Sequence, residues 1–306
     1  MGLEQELQKK ASAGDTFLAV GVFDGVHLGH QHLLRRLKDK AEANKAIPGV
    51  LTFRHHPLRV LSPETSLSYL APLGVRTKLL IGLGIPLVIK ISFSKEVAGI
   101  QARDFLELLM RYIRMRGLVV GTDFALGRNR EGDVKALRTL SAEMGFELEV
   151  VPPFVLNGRV VSSTVIRKAL GVGDMRTVRE FLGRPYVLSG PVVAGRGVGR
   201  VLGFPTANLR VSPQQALPAD GVYAGLAYLG GKALPSLANI GVRPTFGGDE
   251  RVIEVHILDF QGQLYGKELS VGLVERLREE RRFGDPGELK AQIARDAERA
   301  RELLGA

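Results

Sequence analysis

The stretch Leu18-Ala-Val-Gly-Val-Phe-Asp-Gly-Val-His-Leu-Gly-His30 decides the fold of the first part of the chain. It opens with an apolar run, Leu18 to Val22, of the kind that forms a buried strand. A turn follows, and apolar residues then recur at helical spacing from Leu33 to Ala41. The sequence therefore predicts that His27 and His30 stand where a strand is followed by a helix.

That position suits a phosphate group. Backbone N–H groups at a helix N-terminus bind anions, and the helix dipole favours negative charge there. Gly25 and Gly29 would let a phosphate approach the backbone closely, and two imidazoles can neutralise charge that builds on a phosphoryl group. The alternative is that the two histidines are an ordinary helix cap and a surface residue. No zinc site is predicted, because the spacing of the other histidines does not match that of metal ligands: His32, His55, His56 and His256.

Length and composition set the outer limits. The chain has 306 residues, 45% of them hydrophobic, which predicts two domains with sizeable cores. It has no cysteine, so disulfides and thiol catalysis are excluded. The first ten residues, MGLEQELQKK, lack the apolar segment of a signal peptide, and no apolar run approaches the ~18 residues of a membrane span. We therefore expect a cytoplasmic protein without a membrane partner.

The charge balance is basic. The formal net charge is +10, and up to Gly183 there are 26 basic and 18 acidic residues, so the excess lies mainly in the first part. A basic excess is typical of nucleic-acid binding, but here the basic residues are scattered, without a long run or an aromatic-rich basic strand. Small phosphorylated ligands explain the excess equally well, so no nucleic-acid partner is expected.

Strands and helices alternate through the first part of the chain. Such alternation favours a Rossmann-like α/β domain with a parallel sheet and helices on both faces. Gly183-Arg-Pro185 marks the predicted boundary, which gives domains of residues 1–184 and 185–306. The later predicted strands of the first domain are Gly49–Phe53, Leu87–Ile91, Gly117–Gly121 and Leu148–Val151. The predicted helices between them are Val75–Leu83, Ala102–Tyr112 and one that begins after Asp133 as its N-cap.

The pattern changes after residue 185. Short β-rich runs alternate with Gly and Pro turns, which is typical of a small Greek-key β-barrel. A single helix is predicted at the end, with Asp285 as N-cap and Pro286 at the first helical position. The predicted barrel strands are Tyr186–Val193, Gly221–Leu229, Ser236–Ile240, Val252–Ile257 and Glu268–Val274.

A second polar cluster lies in this barrel. Gly195-Arg-Gly-Val-Gly-Arg200 is predicted to be a glycine-rich loop, and it matches neither a Walker loop nor a dinucleotide fingerprint. Thr206 and Asn208 follow it, two residues apart, so in an extended segment they face the same side. Their oxygens are hard ligands suited to Mg²⁺ held by a nucleotide's phosphates. The alternative is a turn in which both side chains satisfy local backbone.

Two further groups are candidates. Glu254 lies in a strand where Ile253, Val255 and Ile257 are predicted to face the core, so its carboxylate can accept a proton in a nucleotide site or simply contact water. Ser162-Ser-Thr-Val-Ile-Arg167 opens a helix, and its hydroxyls and guanidinium either grip phosphates or form an ordinary cap.

With these residues, the chain resembles the family of bacterial bifunctional riboflavin kinases/FMN adenylyltransferases, also called FAD synthetases. The resemblance extends over nearly the whole length, in the family's order. The matching segments are Gly21–His30, Leu51–Pro57, Val120–Phe124, Gly132–Asp133, Ser162–Arg167, Gly183–Tyr186, Gly203–Asn208, Gly221–Tyr223, Asn239–Thr245, Glu254–Asp259 and Leu264–Gly266. The chain departs from the family at positions near the presumed flavin rim: His55, Asp123 and Leu126.

The resemblance implies two reactions that use ATP, Mg²⁺ and the flavins riboflavin, FMN and FAD. The first domain would join FMN to AMP and release pyrophosphate, and the barrel would phosphorylate riboflavin. The implied residues of the first domain are His27, His30 and Arg167 for catalysis, Gly21, Phe23, Asp24, Gly29, Ser163 and Thr164 for ATP, and His56, Asp123, Phe124 and Asp133 on the flavin side. The implied residues of the barrel are Glu254 as base, Thr206 and Asn208 for the metal, Gly195, Gly197, Gly199 and Gly203 for ATP, and Arg278 on the flavin side.

Two other interpretations remain open from the residues. The first domain could act on a different phosphorylated acceptor with the barrel as a passive module, although Thr206, Asn208 and Glu254 argue against that. The chain could also be an RNA-binding protein, which rests on net charge alone. Self-association is left open by the sequence.

Overall fold

The computed structural model of the chain describes residues 2–62, 64, 68–195, 198–245, 248–281 and 283–305, with the side chains of residue 198 and residues 243–250 left aside. It separates into two compact units, Met1–Ser163 and Thr164–Ala306. The predicted division between enzymatic domains at residues 184 and 185 stays a prediction. Among the described residues, no helix combines the length and the apolar composition that crossing a membrane requires.

The first unit is built on a five-stranded sheet in which every neighbouring pair is parallel. Its elements are α1 (Leu3–Gln8), β1 (Thr16–Val20), α2 (Leu28–Ala43), β2 (Ile47–Phe53), α3 (Leu58–Leu61), α4 (Leu73–Gly82), β3 (Leu87–Ile91), α5 (Lys95–Ala98), α6 (Ala102–Ile113), β4 (Met115–Gly121), β5 (Ala125–Leu126), β6 (Gly132–Asp133), α7 (Val134–Met144), β7 (Glu147–Val151), β8 (Val155–Leu156) and β9 (Arg159–Val160). The strand order β3-β2-β1-β4-β7 confirms the predicted Rossmann-like sheet.

The sheet carries a core on each face, as successive side chains of a buried strand point to opposite sides. Leu18 and Val20 of β1 pack with the apolar face of α6, whereas Phe17 and Ala19 pack with α2 and α4. All five residues of β1 are buried, which explains the apolar run from Phe17 to Val20; the hydroxyl of Thr16 donates to the carbonyl of Ile113 at 2.9 Å.

The end of the first strand differs from the prediction. β1 ends at Val20, two residues before the predicted end at Val22. Gly21 still donates its N–H to the carbonyl of Leu51, but the carbonyl of Val22 accepts from the side-chain hydroxyl of Thr52 in β2, which does not continue the backbone ladder. The chain leaves the sheet there because Phe23 takes a left-handed conformation, with φ of 53°.

The second unit contains a closed barrel with the strand order β10-β11-β14-β13-β12-β15. Its elements are α8 (Ser163–Val172, whose first residue ends the first unit), α9 (Met175–Leu182), β10 (Tyr186–Val193), α10 (Val198–Leu202), β11 (Ala207–Leu209), β12 (Gly221–Leu229), β13 (Lys232–Thr245), β14 (Gly248–Ile257), β15 (Glu268–Arg278) and α11 (Pro286–Leu304). All of its strand pairs are antiparallel, which confirms the predicted small barrel.

The terminal helix closes one side of this barrel. Asp285 caps α11 by accepting the N–H of Glu288 at 3.0 Å, as predicted. Ala297 and Ala300 of α11 pack on apolar residues of the barrel that include Val222. The helix thereby covers apolar barrel surface that would otherwise be in water.

Several predictions about the barrel were wrong in detail: β15 continues past its predicted end at Val274 to Arg278, and β11 was not among the predicted strands. The segment predicted as a glycine-rich loop contains a helical turn, α10, which ends at Gly203 with φ of 87°. β13 and β14 are longer than predicted because their antiparallel ladder continues to the pair Thr245 and Gly248. That ladder is held by backbone hydrogen bonds, which the side-chain pattern does not reveal.

Candidate active sites

The first site forms at the carboxyl edge of the parallel sheet. β2 and β3 lie on one side of β1 and β4 lies on the other, so the strand order reverses at β1. Open α/β sheets bind ligands in the crevice at such a reversal. The turn after β1 contains three left-handed residues, Phe23, Gly25 and Val26, with φ of 53°, 77° and 43°. Because left-handed backbone costs a non-glycine residue about 1–2 kcal/mol, the surrounding structure must hold this turn.

His27 and His30 lie together directly after the turn. His27 is the N-cap of α2, and its Nδ1 accepts the backbone N–H of His30 at 3.3 Å. The two imidazole rings stack with centroids 3.7 Å apart and an angle of 16° between their planes. The Phe23 ring lies 5.1 Å from the ring of His30. The predicted arrangement of strand, turn and helix is confirmed, and it places two imidazoles at the positive end of the dipole of α2.

Asp24 organises the turn from inside. Its side chain is buried and accepts the backbone N–H groups of Leu70 at 3.0 Å and Ala71 at 3.2 Å. Its carbonyl accepts the hydroxyl of Ser163 at 3.0 Å. These contacts tie the turn to two distant segments, and the roles predicted for Asp24 and Ser163 towards ATP stay predictions.

Gly29 packs against the side chain of His27. A methyl group at Gly29 would lie 2.9 Å from the carbonyl oxygen of Val161 and 3.1 Å from the ring of His27. Glycine is therefore needed so that the first turn of α2 can lie against the His27 ring. Gly21, also predicted to contact ATP, is the first residue after β1.

A large cavity opens beside this turn, with a volume of about 980 Å³. Its walls include Gly21, His56 and Phe124, together with the aromatic rings of Phe53 and Phe93. Basic residues also line it: Lys95, Arg128 and Arg130. A mostly apolar cavity with a few cationic groups suits a flat aromatic ligand that carries an anionic tail.

The predicted flavin-side residues lie around two adjoining cavities. His56 and Phe124 line the large one, whereas Asp123 and Asp133 line a neighbouring cavity of about 420 Å³ that shares Phe124 and Arg130 with it. Asp133 is the N-cap of α7 and accepts the N–H of Ala136 at 2.8 Å. The structure brings these four residues to one edge of the sheet.

Thr164 and Arg167 lie on α8 in the second compact unit. Thr164 is exposed and Arg167 is half-buried. Their predicted contacts with phosphates stay predictions.

The second site forms where three barrel strands meet. Asn208 of β11 lies directly opposite Glu254 of β14, and Asn239 of β13 lies opposite Glu254 on the other side. Residues directly opposite in a sheet share one face, so the carboxylate stands between two amides. Its neighbours Ile253 and Val255 are buried, which confirms the predicted alternation.

The glycine-rich segment lies directly on the predicted metal ligands. A methyl group at Gly195 would overlap the side-chain amide of Asn208. At Gly199 it would overlap the carbonyl of Phe204 and come within 3.2 Å of the Thr206 hydroxyl. Gly197, another predicted ATP contact, lies outside the described residues. The small glycines thus allow this segment to cover Thr206 and Asn208.

A cavity of about 310 Å³ lies beside Thr206. Its lining is mostly apolar, with Arg200 as a cationic group and Tyr265 at its wall. His256 stands close by: its Nδ1 is 2.9 Å from the carbonyl oxygen of Pro205. Polar ligands next to an apolar cavity with one cation suit a nucleotide.

Comparisons with known proteins match both parts of the chain. Residues 9–165 match the family model described as FAD synthetase, and residues 182–304 match the model described as riboflavin kinase. The chain is 39% identical over 290 residues to the bifunctional riboflavin kinase/FMN adenylyltransferase of Escherichia coli K12, covering 94% of this chain and 92% of that protein. The chain belongs to the bifunctional riboflavin kinase/FMN adenylyltransferase family.

Further relatives support the same placement. The family member of Pseudomonas fluorescens is 37% identical over 286 residues, with 93% of this chain and 91% of that protein covered. A crystal structure titled macrolide-efflux protein, from Streptococcus pneumoniae, has a TM-score of 0.89, 30% identity and 96% coverage of both chains. That title belongs to the pneumococcal protein, and the likeness shows that the whole fold is shared.

Magnesium fits the residues predicted to bind a metal in the barrel. Thr206 and Asn208 offer hard oxygen ligands under the glycine cradle, which leaves the remaining coordination positions to phosphates and water. Among the residues that the structure describes, no group of three or more His, Cys, Asp or Glu side chains is arranged to hold a metal by itself.

Arg278, the predicted flavin-side residue of the kinase domain, contacts the terminal helix. Its Nε donates to Oδ2 of Asp296 at 2.9 Å, and its Nη2 lies 2.9 Å from the same oxygen. Its guanidinium also lies 5.7 Å from the centroid of the Phe283 ring. The role predicted for Arg278 towards flavin stays a prediction.

Sequence reasoning missed three residues of these sites. Asn239 and His256 lie in the quoted motifs, and alternation places His256 on the same side of its strand as Glu254. Neither was assigned to a site, because their partners come from other segments of the chain. Arg76 lies in the middle of α4 and is nevertheless buried beneath the first site. The only available signal was a basic residue at a core-facing position of an amphipathic helix.

Proposed function

We propose that this chain makes FMN from riboflavin and then FAD from FMN, using ATP in both steps. The observation that carries the proposal is that both enzymatic domain models match one chain in sequence order, and that each matched region contains its own polar site. The substrates of the two steps are those that the names of the relatives state. We further propose Mg²⁺ as the metal partner of ATP and the cytoplasm as the place of action.

The adenylyl transfer needs positioning and charge neutralisation. An oxygen of the FMN phosphate attacks the α-phosphorus of ATP, the bond from that phosphorus to the bridging oxygen breaks, and pyrophosphate leaves with the bonding electrons. We propose that His27 and His30 stabilise the extra negative charge on the α-phosphate at the N-terminus of α2. Ser163, Thr164 and Arg167 would hold the departing phosphates, and the cavity of about 980 Å³ would hold the isoalloxazine ring.

The kinase reaction needs a base as well. The terminal ribityl hydroxyl of riboflavin attacks the γ-phosphorus of ATP, its proton passes to the carboxylate of Glu254, and ADP leaves. Thr206 and Asn208 would hold Mg²⁺, which supplies positive charge to the phosphates when bound. The cavity beside Thr206 would hold the nucleotide, with the Gly195–Gly199 segment over its phosphates.

The test uses paired variants of the full-length protein, incubated with riboflavin, ATP and Mg²⁺, with flavins separated by chromatography. Replacing His27 and His30 together by alanine should reduce FAD formation by about 10²–10³ and leave FMN formation intact. Glu254→Gln should abolish FMN formation and leave the conversion of added FMN to FAD. His32→Ala and Glu268→Gln serve as matched controls that should leave both steps unchanged.

Three results would refute the proposal. The wild-type protein would form neither FMN nor FAD, or the two histidine substitutions would reduce both steps equally, or FMN formation would survive Glu254→Gln. If the protein instead transferred AMP to a different phosphorylated acceptor and its barrel had no kinase activity, the result would favour the alternative in which the barrel is a passive module. Leaving Mg²⁺ out and adding a chelator tests the metal in both steps.

A further inference from the structure

Arg76 is a buried cation beneath the first site. Its side chain is 1% exposed, although it lies on α4 within a domain whose other basic residues are largely at the surface. Its Nη1 donates to the carbonyl of Val22, and its Nη2 donates to the carbonyl of Phe53 at 3.3 Å. The guanidinium therefore joins the carboxyl ends of two neighbouring strands, since Phe53 ends β2 and Val22 follows β1.

Polar groups surround this guanidinium, but they do not accept hydrogen bonds from all of its nitrogen atoms. The aromatic ring of Tyr69 lies 5.2 Å from it, and the hydroxyl of Thr52 lies 3.5 Å from Nη1. Burial lowers the pKa of Arg76, and the negative charge of Asp24 opposes that shift. Its Nε has no hydrogen-bond acceptor within the described part of the chain. An apolar side chain would fill this place at a lower desolvation cost, so stability alone does not account for an arginine here.

The guanidinium of Arg76 holds the strained turn that precedes His27. The turn is anchored at the carbonyl of Val22 by Arg76 and at the carboxylate of Asp24 by two backbone N–H groups. Left-handed Phe23 lies between these anchors, and left-handed Val26 lies between Asp24 and His27. Val22, whose carbonyl Arg76 holds, also lines the cavity of about 980 Å³.

We propose that Arg76 is a positioning residue for adenylyl transfer: it fixes the carbonyl of Val22 and thereby the placement of His27 and His30, without touching a substrate. The inference rests on the proposed function. Its burial excludes direct contact with ATP or FMN, so it acts through the turn. A displacement of about 1 Å at a catalytic group costs about 10² in rate, and a released turn moves both imidazoles together.

The experiment compares Arg76→Met, Arg76→Lys and a matched control, Lys78→Met, which removes an exposed cation two residues further along α4. The conversion of FMN to FAD is measured by steady-state kinetics with each substrate varied. For Arg76→Met we expect kcat to fall about 10- to 100-fold, with both KM values within about threefold of the wild type. Riboflavin phosphorylation in the same molecules should stay within about twofold. Arg76→Lys should recover part of kcat, because an ammonium reaches one carbonyl but cannot bridge two.

A second readout does not depend on activity. The imidazole NMR signals of His27 and His30, assigned with alanine variants, should shift in Arg76→Lys and stay unchanged in Lys78→Met. If Arg76→Met does not fold, Arg76→Lys becomes the decisive variant. Its kcat for the conversion of FMN to FAD should be about 3- to 10-fold below that of the wild type. The proposal is overturned by a kcat within twofold of the wild type in the decisive variant, by an effect confined to KM, or by equal loss of the kinase step. A wild-type protein that makes no FAD would refute the proposed function and leave the NMR comparison to decide the positioning role.

Discussion

Substituting Gly29 by alanine tests whether the geometry of His27 limits adenylyl transfer. Gly29 is the second residue of α2, and a methyl group there would lie 2.9 Å from the carbonyl oxygen of Val161 and 3.1 Å from Nδ1 and Cε1 of His27. Ordinary van der Waals contacts begin at about 3.4 Å, so either the ring or the helix must move by a few tenths of an ångström. The bond from the N–H of His30 to Nδ1 of His27 is already 3.3 Å long and is the contact that would weaken.

The expected magnitudes follow from two opposing effects. Alanine in place of glycine stabilises a helix by about 1 kcal/mol, whereas forcing a methyl group into a filled site costs about 1–3 kcal/mol. The free energy of unfolding should therefore change little or fall by up to about 2 kcal/mol. For activity, a shift of a few tenths of an ångström at His27 should lower kcat for FAD formation about 3- to 30-fold, since about 1 Å costs about 10².

Gly74 provides the matched control. It is the second residue of α4, as Gly29 is of α2, and a methyl group there would have no heavy atom within 4 Å. Gly74→Ala should raise the free energy of unfolding by about 0.5–1 kcal/mol and leave both activities unchanged. Steady-state kinetics and urea denaturation of both variants give the answer. Full kcat in Gly29→Ala, or an equal loss in both variants, would refute the reasoning.

Three further outcomes are expected. Gly195→Ala forces a methyl group onto the Asn208 amide, so riboflavin phosphorylation should fall about tenfold in kcat/KM for MgATP while the conversion of FMN to FAD stays constant; a normal kinase step would contradict this. Asp296→Asn weakens the nearly buried pair with Arg278, so urea denaturation should show a loss of about 1–3 kcal/mol. Burial raises the pKa of Tyr223 to about 12 from 10.0, so its contribution to stability is full below pH 10 and is lost as pH rises through about 12. Tyr223→Phe should remove that part of the alkaline loss, and an unchanged pH dependence of the urea midpoint would count against it.

The sheet was predicted well because each of its strands can be recognised from the residues of the strand itself. A strand buried on both faces is an apolar run, as in β1, and each predicted strand of the first unit is present. The error at Val22 arose because an apolar residue next to a strand can equally begin a turn. What ends β1 is the left-handed Phe23, and that conformation depends on contacts with segments more than 40 residues away.

Individual residues of the candidate sites could be predicted from the sequence, but the contacts between residues on different strands could not. The side of β14 on which Glu254 lies follows from alternation, and alternation is a local property. Its position between Asn208 and Asn239 depends on the registers of two other strands, which the sequence does not state. Arg76 could not be found by pattern, since a charged residue on a helix is ordinarily exposed.

In both sites a glycine lies against a side chain of the site, and such a glycine can have two roles. From the sequence, Gly29 was predicted to let a phosphate approach closely, and the family resemblance implied Gly195 as an ATP contact. The structure places the missing Cβ of each glycine against a side chain of its own site, His27 and Asn208. At Gly29, where the crowded side chain is a proposed catalytic group, the two explanations give different kinetics. If the glycine only admits a phosphate, alanine raises the KM for ATP and leaves kcat at saturation unchanged. If it only makes room for a catalytic side chain, alanine lowers kcat and leaves the KM unchanged. We expect the second result at Gly29, because we propose that His27 acts on the reacting phosphorus. At Gly195 we expect a change in KM, because we propose that Asn208 binds the nucleotide through a metal ion.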